Sequence, residues 1–119
     1  MMPVMDDGNG MPHPPPEPLL EMIAEHLRVL SVPMRIRLLD HLRDGEASVS
    51  ILQEVLGASQ QNVSRHLLTL YQAGLVSREK RGTTVVYAVG DPTVFQLFGL
   101  VCGSLRRQLS ERTVVLGDR

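Results

Sequence analysis

The polar residues between Ser59 and Thr69 carry groups that hydrogen-bond to the edges of nucleic-acid bases. Glutamine and asparagine bind adenine through two hydrogen bonds, arginine binds guanine in the same way, and serine bonds to either. At about 100° per helical residue, Gln61 and Arg65 lie opposite an apolar side that contains Val63. Asn62 and Ser64 lie at its flanks, and these four are the predicted base readers. The full set of predicted DNA contacts here is Ser59, Gln60, Gln61, Asn62, Ser64, Arg65 and Thr69.

A second cluster of candidate residues is basic. Arg78, Lys80 and Arg81 follow each other with Glu79 as the one acid among them, so residues 59–85, which also include Arg65, carry a net charge of +3 in a chain of net charge −1. Such a local excess of positive charge is typical of a face that meets phosphates. As phosphate contacts these residues set register and salt dependence without reading sequence. Charged strand edges also discourage aggregation, and both interpretations hold together.

Helical spacing and turn signals predict the elements that position these residues. After Gly74 the apolar period falls from 3.6 to about 2, which predicts strands at 75–80 and 84–89 around a turn at 81–83. The predicted helices are one over 19–30, one from Pro33 to the turn at 44–46, one capped by Ser48 with the apolar stripe Ile51, Leu52, Val55 and Leu56, one from Ser59 to Gly74, and one opened by Asp91 and Pro92.

The third and fourth helices are separated by only Gly57 and Ala58, a spacing that indicates a helix-turn-helix. The predicted fold is therefore mainly α with a small β-hairpin, a winged helix-turn-helix with an extra helix at each end. Residues 1–18 are expected to form a disordered, proline-rich leader, residues 19–112 the folded domain and residues 113–119 a flexible tail. A helical reader of this kind places the second helix of the motif in the major groove.

Composition excludes several other classes of protein. A chain of 119 residues fits one domain, and its single cysteine excludes an internal disulfide. No apolar run reaches the roughly 18 residues of a membrane span, and acids stand where a signal peptide needs basic residues, so we expect a cytoplasmic protein. No nucleophile–base arrangement, phosphate-binding glycine loop or metal cluster is evident, so no enzyme chemistry is expected.

Four segments resemble the ArsR/SmtB family of winged-helix repressors over about Leu19 to Leu109. They are residues 31–39 (SVPMRIRLL), residues 59–67 (SQQNVSRHL), residues 73–76 (AGLV), and Arg81-Gly82 together with Val86-Tyr87. The resemblance implies a homodimer joined through its first and last helices, bound to an inverted-repeat operator on double-stranded DNA and released by an unknown inducer. Two recognition helices about one turn (roughly 34 Å) apart also match a palindromic site.

The terminal helices supply the residues expected at that dimer interface. Gly99 and Gly103 are four residues apart, a spacing that lets helices approach closely. Each glycine costs roughly 1 kcal/mol of helix propensity, which favours a tight crossing over a surface position. The predicted interface residues are Leu20, Ile23, Leu27, Phe95, Phe98, Gly99, Cys102 and Gly103.

The metal sites that the resemblance implies are largely missing from this sequence. Ser48 and Ser50 stand where many members of the family carry two cysteines as soft ligands. Of a second, four-residue site on the last helix only the acid remains, since the four positions hold Asp91, Thr93, Ser104 and Arg107. We therefore predict no metal site and no cofactor.

Cys102 leaves two hypotheses open. A buried free cysteine behaves mostly as a small hydrophobe, which favours a packing role. A redox role requires a bridge to the cysteine of a second copy, which needs Cα atoms within about 7 Å. His66, near the buried side of the fourth helix, is expected to be a hydrogen-bonded histidine without a catalytic role.

The sequence predicts a DNA-binding transcriptional regulator, a homodimeric repressor that does not respond to metal. Two alternatives remain: a winged-helix module that binds a protein partner through the same surface, and a thiol-sensing repressor that acts through Cys102. Salt dependence distinguishes DNA binding from protein binding, because counterions are released when phosphates are neutralised.

Overall fold

The computed structural model of the chain describes residues 5–6 and 10–110. Five helices and a three-stranded sheet make up most of the described residues. In chain order the elements are β1 Met5–Asp6, β2 Pro12–His13, α1 Glu17–Leu30, α2 Pro33–Leu42, β3 Ala47–Ser48, α3 Val49–Leu56, α4 Gln60–Gln72, β4 Val76–Arg81, β5 Thr84–Val89 and α5 Thr93–Ser110.

Local signals explain where the central helices begin and end. The Ser48 hydroxyl accepts from the backbone N–H of Ile51 at 3.3 Å and caps α3, while the Ser59 hydroxyl accepts from the N–H of Asn62 at 3.1 Å and caps α4. Gly57 ends α3 in the left-handed region at φ +63°, which a glycine adopts without steric cost. The chain thus turns from α3 into α4 within three residues, which confirms the predicted helix-turn-helix.

The predicted hairpin is confirmed, with its first strand one residue later than predicted so that Arg81 lies in the strand and not in the turn, and the sheet gains a third strand. Strands β4 and β5 pair antiparallel from Val76 opposite Val89 to Arg81 opposite Thr84. The two-residue strand β3 pairs with the other edge of β5, so the order of the sheet is β3-β5-β4. A pair of residues is too short for a periodic signal, and the sequence analysis missed β3 for that reason.

The core lies between α2, α3, α4 and the hairpin. Val63, Leu67 and Leu70 of α4 are fully buried there, against apolar side chains of the neighbouring elements. Burial of apolar surface from water is the main stabilising contribution, at roughly 25 cal/mol per Å². The other fully buried side chains are Leu38, Leu39, Leu52 and Leu75.

Parts of the predicted organisation are wrong in detail. Of the apolar stripe predicted for α3, Leu52 is fully buried and Leu56 packs against the core, whereas Ile51 and Val55 are 49% and 54% exposed. Helix α1 begins at Glu17 rather than at Leu19, since a proline is tolerated in the first turn. The ribbon of β1 and β2 lies within the leader predicted to be disordered. The division into leader, domain and tail stays a prediction, and the predicted tail lies outside the described residues.

Candidate nucleic-acid interface

Helix α4 has one apolar side and one polar side. Val63 and Leu67 have no exposed surface, and His66 is 9% exposed on the same side. The opposite side carries the predicted base readers, of which Gln61 and Arg65 are exposed. Of the other predicted contacts on this segment, Ser59 and Gln60 are exposed, and Asn62, Ser64 and Thr69 are half-buried at the flanks. The predicted polar face therefore stands clear of the core, while its contact with DNA stays a prediction.

Asn62 and Arg65 form a bonded pair on that face. The Arg65 guanidinium donates from Nη2 to the Asn62 amide oxygen, one helical turn away. The Thr69 hydroxyl donates to the carbonyl oxygen of Arg65 at 3.2 Å. This hydrogen bond to the amide oxygen of Asn62 orients the Arg65 guanidinium in the free protein. Gln61, Asn62 and Arg65 line an open groove of about 560 Å³ at the start of α4.

Ion pairs neutralise one of the three cations predicted on the hairpin. The Arg81 guanidinium donates to the carboxylates of Glu46 and Glu79, and these hydrogen bonds, Glu46 first, raise the pKa of Arg81 further above its usual range. The Arg81 hydrogen bond also lowers the pKa of Glu46. Among residues 10–110, Lys80 forms no ion pair. The sequence analysis missed Glu46 because it lies 35 residues before Arg81.

Arg78, another predicted phosphate contact, is held against helix α4. Its guanidinium carbon lies 4.1 Å from the centroid of the Tyr71 ring, a cation–π contact. In the sheet Arg78 is paired with Tyr87, whose side chain is buried. Arg78 therefore links the hairpin to the C-terminal part of α4.

His66 forms a part-buried hydrogen bond, as expected from its place on α4. Its Nδ1 accepts from Nε of Arg35 at 3.1 Å, and Arg35 also donates from Nη1 to the carbonyl oxygen of Val29 at 3.1 Å. Burial, and then the positive charges of Arg35 and Arg65, lower the pKa of His66. The ring is therefore neutral and serves as an acceptor at neutral pH.

The residues predicted at the dimer interface line an uncovered apolar surface. Leu20 is 39% and Leu27 47% exposed, whereas Ile23, Phe95, Phe98, Cys102 and Gly103 are half-buried and Gly99 is exposed. A β-carbon at Gly99 would have open space around it within the chain. Between α1, α2 and α5 lies an open apolar groove of about 430 Å³, lined by Leu27, Leu30, Ile36, Leu97, Phe98, Val101, Cys102 and Leu105.

Three of the positions that the resemblance pairs with metal ligands, Ser48, Ser50 and Asp91, are hydrogen-bonded to near neighbours. The Ser48 hydroxyl caps α3 and lies 3.3 Å from that of Ser50. The Asp91 carboxylate accepts from the backbone N–H of Thr93 at 3.1 Å. Within residues 5–6 and 10–110, no three His, Cys, Asp or Glu side chains form a group able to hold a metal ion. In the same part of the chain, no helix is both long and apolar enough to cross a membrane.

A helix-turn-helix followed by a β-hairpin wing places this protein in the winged helix-turn-helix class. Comparison with known proteins agrees, since residues 29–79 match the family described as Helix-turn-helix domain. The chain is 34% identical over 103 residues to the HTH-type transcriptional regulator Rv0081 of Mycobacterium tuberculosis, covering 86% of this chain and 90% of that protein. It is 39% identical over 80 residues to the HTH-type transcriptional repressor SmtB of the same organism, covering 67% of this chain and 59% of the repressor.

Solved structures show the same architecture. The crystal structure of Rv0081 superposes with a TM-score of 0.73 at 32% identity, covering 83% of this chain and all of that one. The homodimeric winged helix-turn-helix DNA-binding domain of Mb0332 from Mycobacterium bovis superposes with a TM-score of 0.68 at 29% identity, covering 78% of this chain and 86% of that domain. The chain belongs to the ArsR/SmtB family of winged helix-turn-helix transcriptional regulators. The resemblance inferred from the four sequence segments is thereby confirmed.

Proposed function

We propose that this protein is a homodimeric repressor that binds an inverted-repeat operator in the cytoplasm and carries out no enzymatic reaction. Helix α4 enters the major groove, and the hairpin of β4 and β5 contacts the adjacent backbone. The observation that carries the proposal is that α4 buries Val63, Leu67 and Leu70 fully on one side and exposes hydrogen-bonding groups, Gln61 and Arg65 among them, on the opposite side. Such a helix presents base-reading groups at no cost to the core.

The side chains divide by role. Gln61, Asn62, Ser64 and Arg65 read bases, with Arg65 directed by Asn62 toward a guanine. Ser59, Gln60 and Thr69 contact the DNA at the ends and flanks of the same face. Lys80 is the strongest phosphate contact of the hairpin, because two carboxylates already neutralise Arg81 and the Tyr71 ring restrains Arg78.

A second copy of the chain covers the apolar surface of α1 and α5. Leu27 and Val101 are each about half exposed on the groove between these helices, a large apolar exposure for a lone chain. A two-fold axis through this surface presents two copies of α4 to one face of the DNA. The homodimeric state printed for the Mb0332 domain supports the same assembly.

We propose that soft and transition metals do not change DNA binding by the repressor. Ser48 and Ser50 offer no thiolate, and the Asp91 carboxylate is hydrogen-bonded to Thr93. A gel-shift titration with zinc, cadmium or arsenite at micromolar concentration is therefore expected to leave the complex intact. Release by any of the three would reveal a metal site.

Selection from a pool of random DNA duplexes tests the function directly. We expect enrichment of an inverted repeat whose half-sites are about 10 base pairs apart, centre to centre. The affinity should fall steeply between low and physiological salt. A pool that yields no motif, together with binding that ignores salt, would contradict the proposal and favour a protein-binding module.

A further inference from the structure

One side chain, Arg35 on helix α2, bonds to two other helices at once. Its Nε donates to Nδ1 of His66 on the recognition helix α4, and its Nη1 donates to the carbonyl oxygen of Val29 in the last turn of α1, both at 3.1 Å. Arg35 lies 31 residues before His66 and six residues after Val29. The fork of one guanidinium thus joins α1 and α4 through α2.

Both hydrogen bonds supply a donor to an acceptor that has no other partner within the described part of the chain, the Val29 carbonyl oxygen and Nδ1 of His66. The Val29 carbonyl is among the last four of α1, which have no partner inside the helix, and a cation at that end also complements the helix dipole. His66 is 9% exposed, so a nitrogen left there without a partner would cost the full desolvation penalty. The rigid fork suits such a double contact, whereas the single amine of a lysine does not.

The bond to His66 exists only for the neutral ring. A protonated imidazole carries a hydrogen on Nδ1, which would then face the N–H of Arg35 as donor against donor. The charged groups facing the ring are Arg35 from α2 and Arg65 from α4 itself, and both are cations. Among the described residues, the other elements packed on α4, namely α3 and β4, bring no charged group that shifts His66. Acidification therefore breaks the bond.

We propose that Arg35 is a positioning residue that fixes the recognition helix α4 against helix α1, and that protonation of His66 releases it. The proposal rests on the function given above, in which α1 forms part of the dimer interface and α4 reads DNA. In a two-fold dimer the spacing of the two α4 helices depends on how each is held relative to α1. The bond from Arg35 holds that relation, so operator affinity depends on it.

Two isosteric variants separate this role from simple packing. His66→Asn places an amide oxygen where Nδ1 stands, so it still accepts from Arg35 but does not titrate in this range. His66→Leu has the same branching and cannot accept. We expect His66→Leu to bind the selected duplex about tenfold more weakly than His66→Asn at pH 7.5. Equal affinity of the two variants overturns the proposal, because leucine is the better packing residue of a buried site.

The pH profile supplies a readout that a structural role would not move. As the pH falls, the wild type should lose affinity for the duplex relative to His66→Asn. Because the pKa of His66 is lowered from the ordinary imidazole value of 6.5, most of this loss is expected below pH 6.5. The other histidines are the same in both proteins, so the ratio of their affinities isolates His66. A ratio that stays constant from pH 7.5 to pH 5.5 contradicts the proton-linked release.

Nitrogen-15 NMR of the free, full-length protein makes the test independent of DNA, and the same spectra show whether each variant is folded. We expect His66 Nδ1 to be an unprotonated acceptor, and Arg35→Gln to raise the pKa of His66. The matched control Arg37→Gln removes an equal charge from an exposed site on α2 and should leave that pKa unchanged. An unchanged His66 titration in Arg35→Gln sinks the positioning role. Failure of the wild type to select any duplex sinks the proposed function instead.

Discussion

Helices α4 and α5 are both amphipathic, but they differ in which of their residues the chain leaves exposed. In α4 the apolar residues Val63, Leu67 and Leu70 are fully covered by their own chain, and the exposed side is mostly polar, with Leu68 43% exposed at its flank. In α5, which is 18 residues long, only Val94 is buried, while Leu100 and Val101 are 73% and 50% exposed. A polar exposed face fits a hydrated partner such as DNA, whereas an apolar one requires a partner that excludes water.

The comparison assigns a different partner to each helix. Because the core covers Val63, Leu67 and Leu70 of α4, the residues on the outer side of the helix are free to vary, and they can encode specificity. The apolar residues of α5 lack such cover among the described residues, so their burial must come from another molecule. A second copy brings the same surface and closes the interface by symmetry.

The largest effect is expected from a charge placed on the apolar face of α5. Val101→Glu is tolerated in the free chain, because the side chain is half exposed, but it buries an unpaired carboxylate in the dimer at a cost of several kcal/mol. Sedimentation velocity should show a monomer at micromolar concentration. The selected duplex should be bound at least about 100-fold more weakly, since a monomer engages one half-site.

A matched control distinguishes this effect from a general effect of added charge. Gln108→Glu introduces the same charge on the same helix at an exposed polar position, and it should remain a dimer with unchanged affinity. A dimeric Val101→Glu protein would mean that α5 meets another partner, and the contrast between the two helices would then need a different explanation.

The next effect concerns the polar face of α4. Arg65→Ala should cost about 1–3 kcal/mol at one base position and relax the preference there, because a bidentate contact to guanine is lost. Competition binding with single-base variants of the selected duplex measures it. Arg65→Lys keeps the charge without the fork, so it should retain the salt dependence and lose the base preference. If Arg65→Ala weakens all duplexes equally, Arg65 contacts phosphate rather than base.

The features that sequence predicted and those that it missed differ in range along the chain. The caps Ser48 and Ser59 bond three residues ahead, so type and spacing were sufficient to predict both. The pairs Arg81–Glu46 and Arg35–His66 join residues 35 and 31 apart, and no periodic pattern marks such contacts. The buried side of α4 was predictable for the same local reason, since helical periodicity places Val63 and Leu67 together.

Exposure of apolar residues marks the limit of periodic patterns. The stripe predicted on α3 follows helical spacing, yet Ile51 and Val55 lie outside the core. Periodicity indicates that residues share a face but does not state what covers that face. Whether such a face is buried depends on the elements packed against it, and the apolar face of α3 is only partly covered.

A smaller effect separates two neighbouring cations of the hairpin. Lys80→Ala should reduce the slope of log affinity against log salt by about one for each subunit, because one phosphate contact is lost. Arg81→Ala should reduce it less, since Glu46 and Glu79 already compensate that charge. Glu46→Gln should increase affinity at low salt, because Arg81 then keeps only Glu79 as a charged partner. Equal slopes for the two alanine variants would show that the ion pairs open when DNA binds.

The smallest expected effect is that of Cys102→Ser on the response to oxidants. Cys102 is half-buried in the apolar groove, where a thiol contributes mainly packing, so the variant should bind the selected duplex within about twofold of the wild type. Hydrogen peroxide should change neither complex in a gel shift. If peroxide releases only the wild type and links its two subunits covalently on a non-reducing gel, the Cα atoms at this crossing lie within about 7 Å. Helix α5 would then respond to thiol oxidation as well as join the two subunits. In that case α4 would bind the DNA, and oxidation of Cys102 in α5 would control that binding.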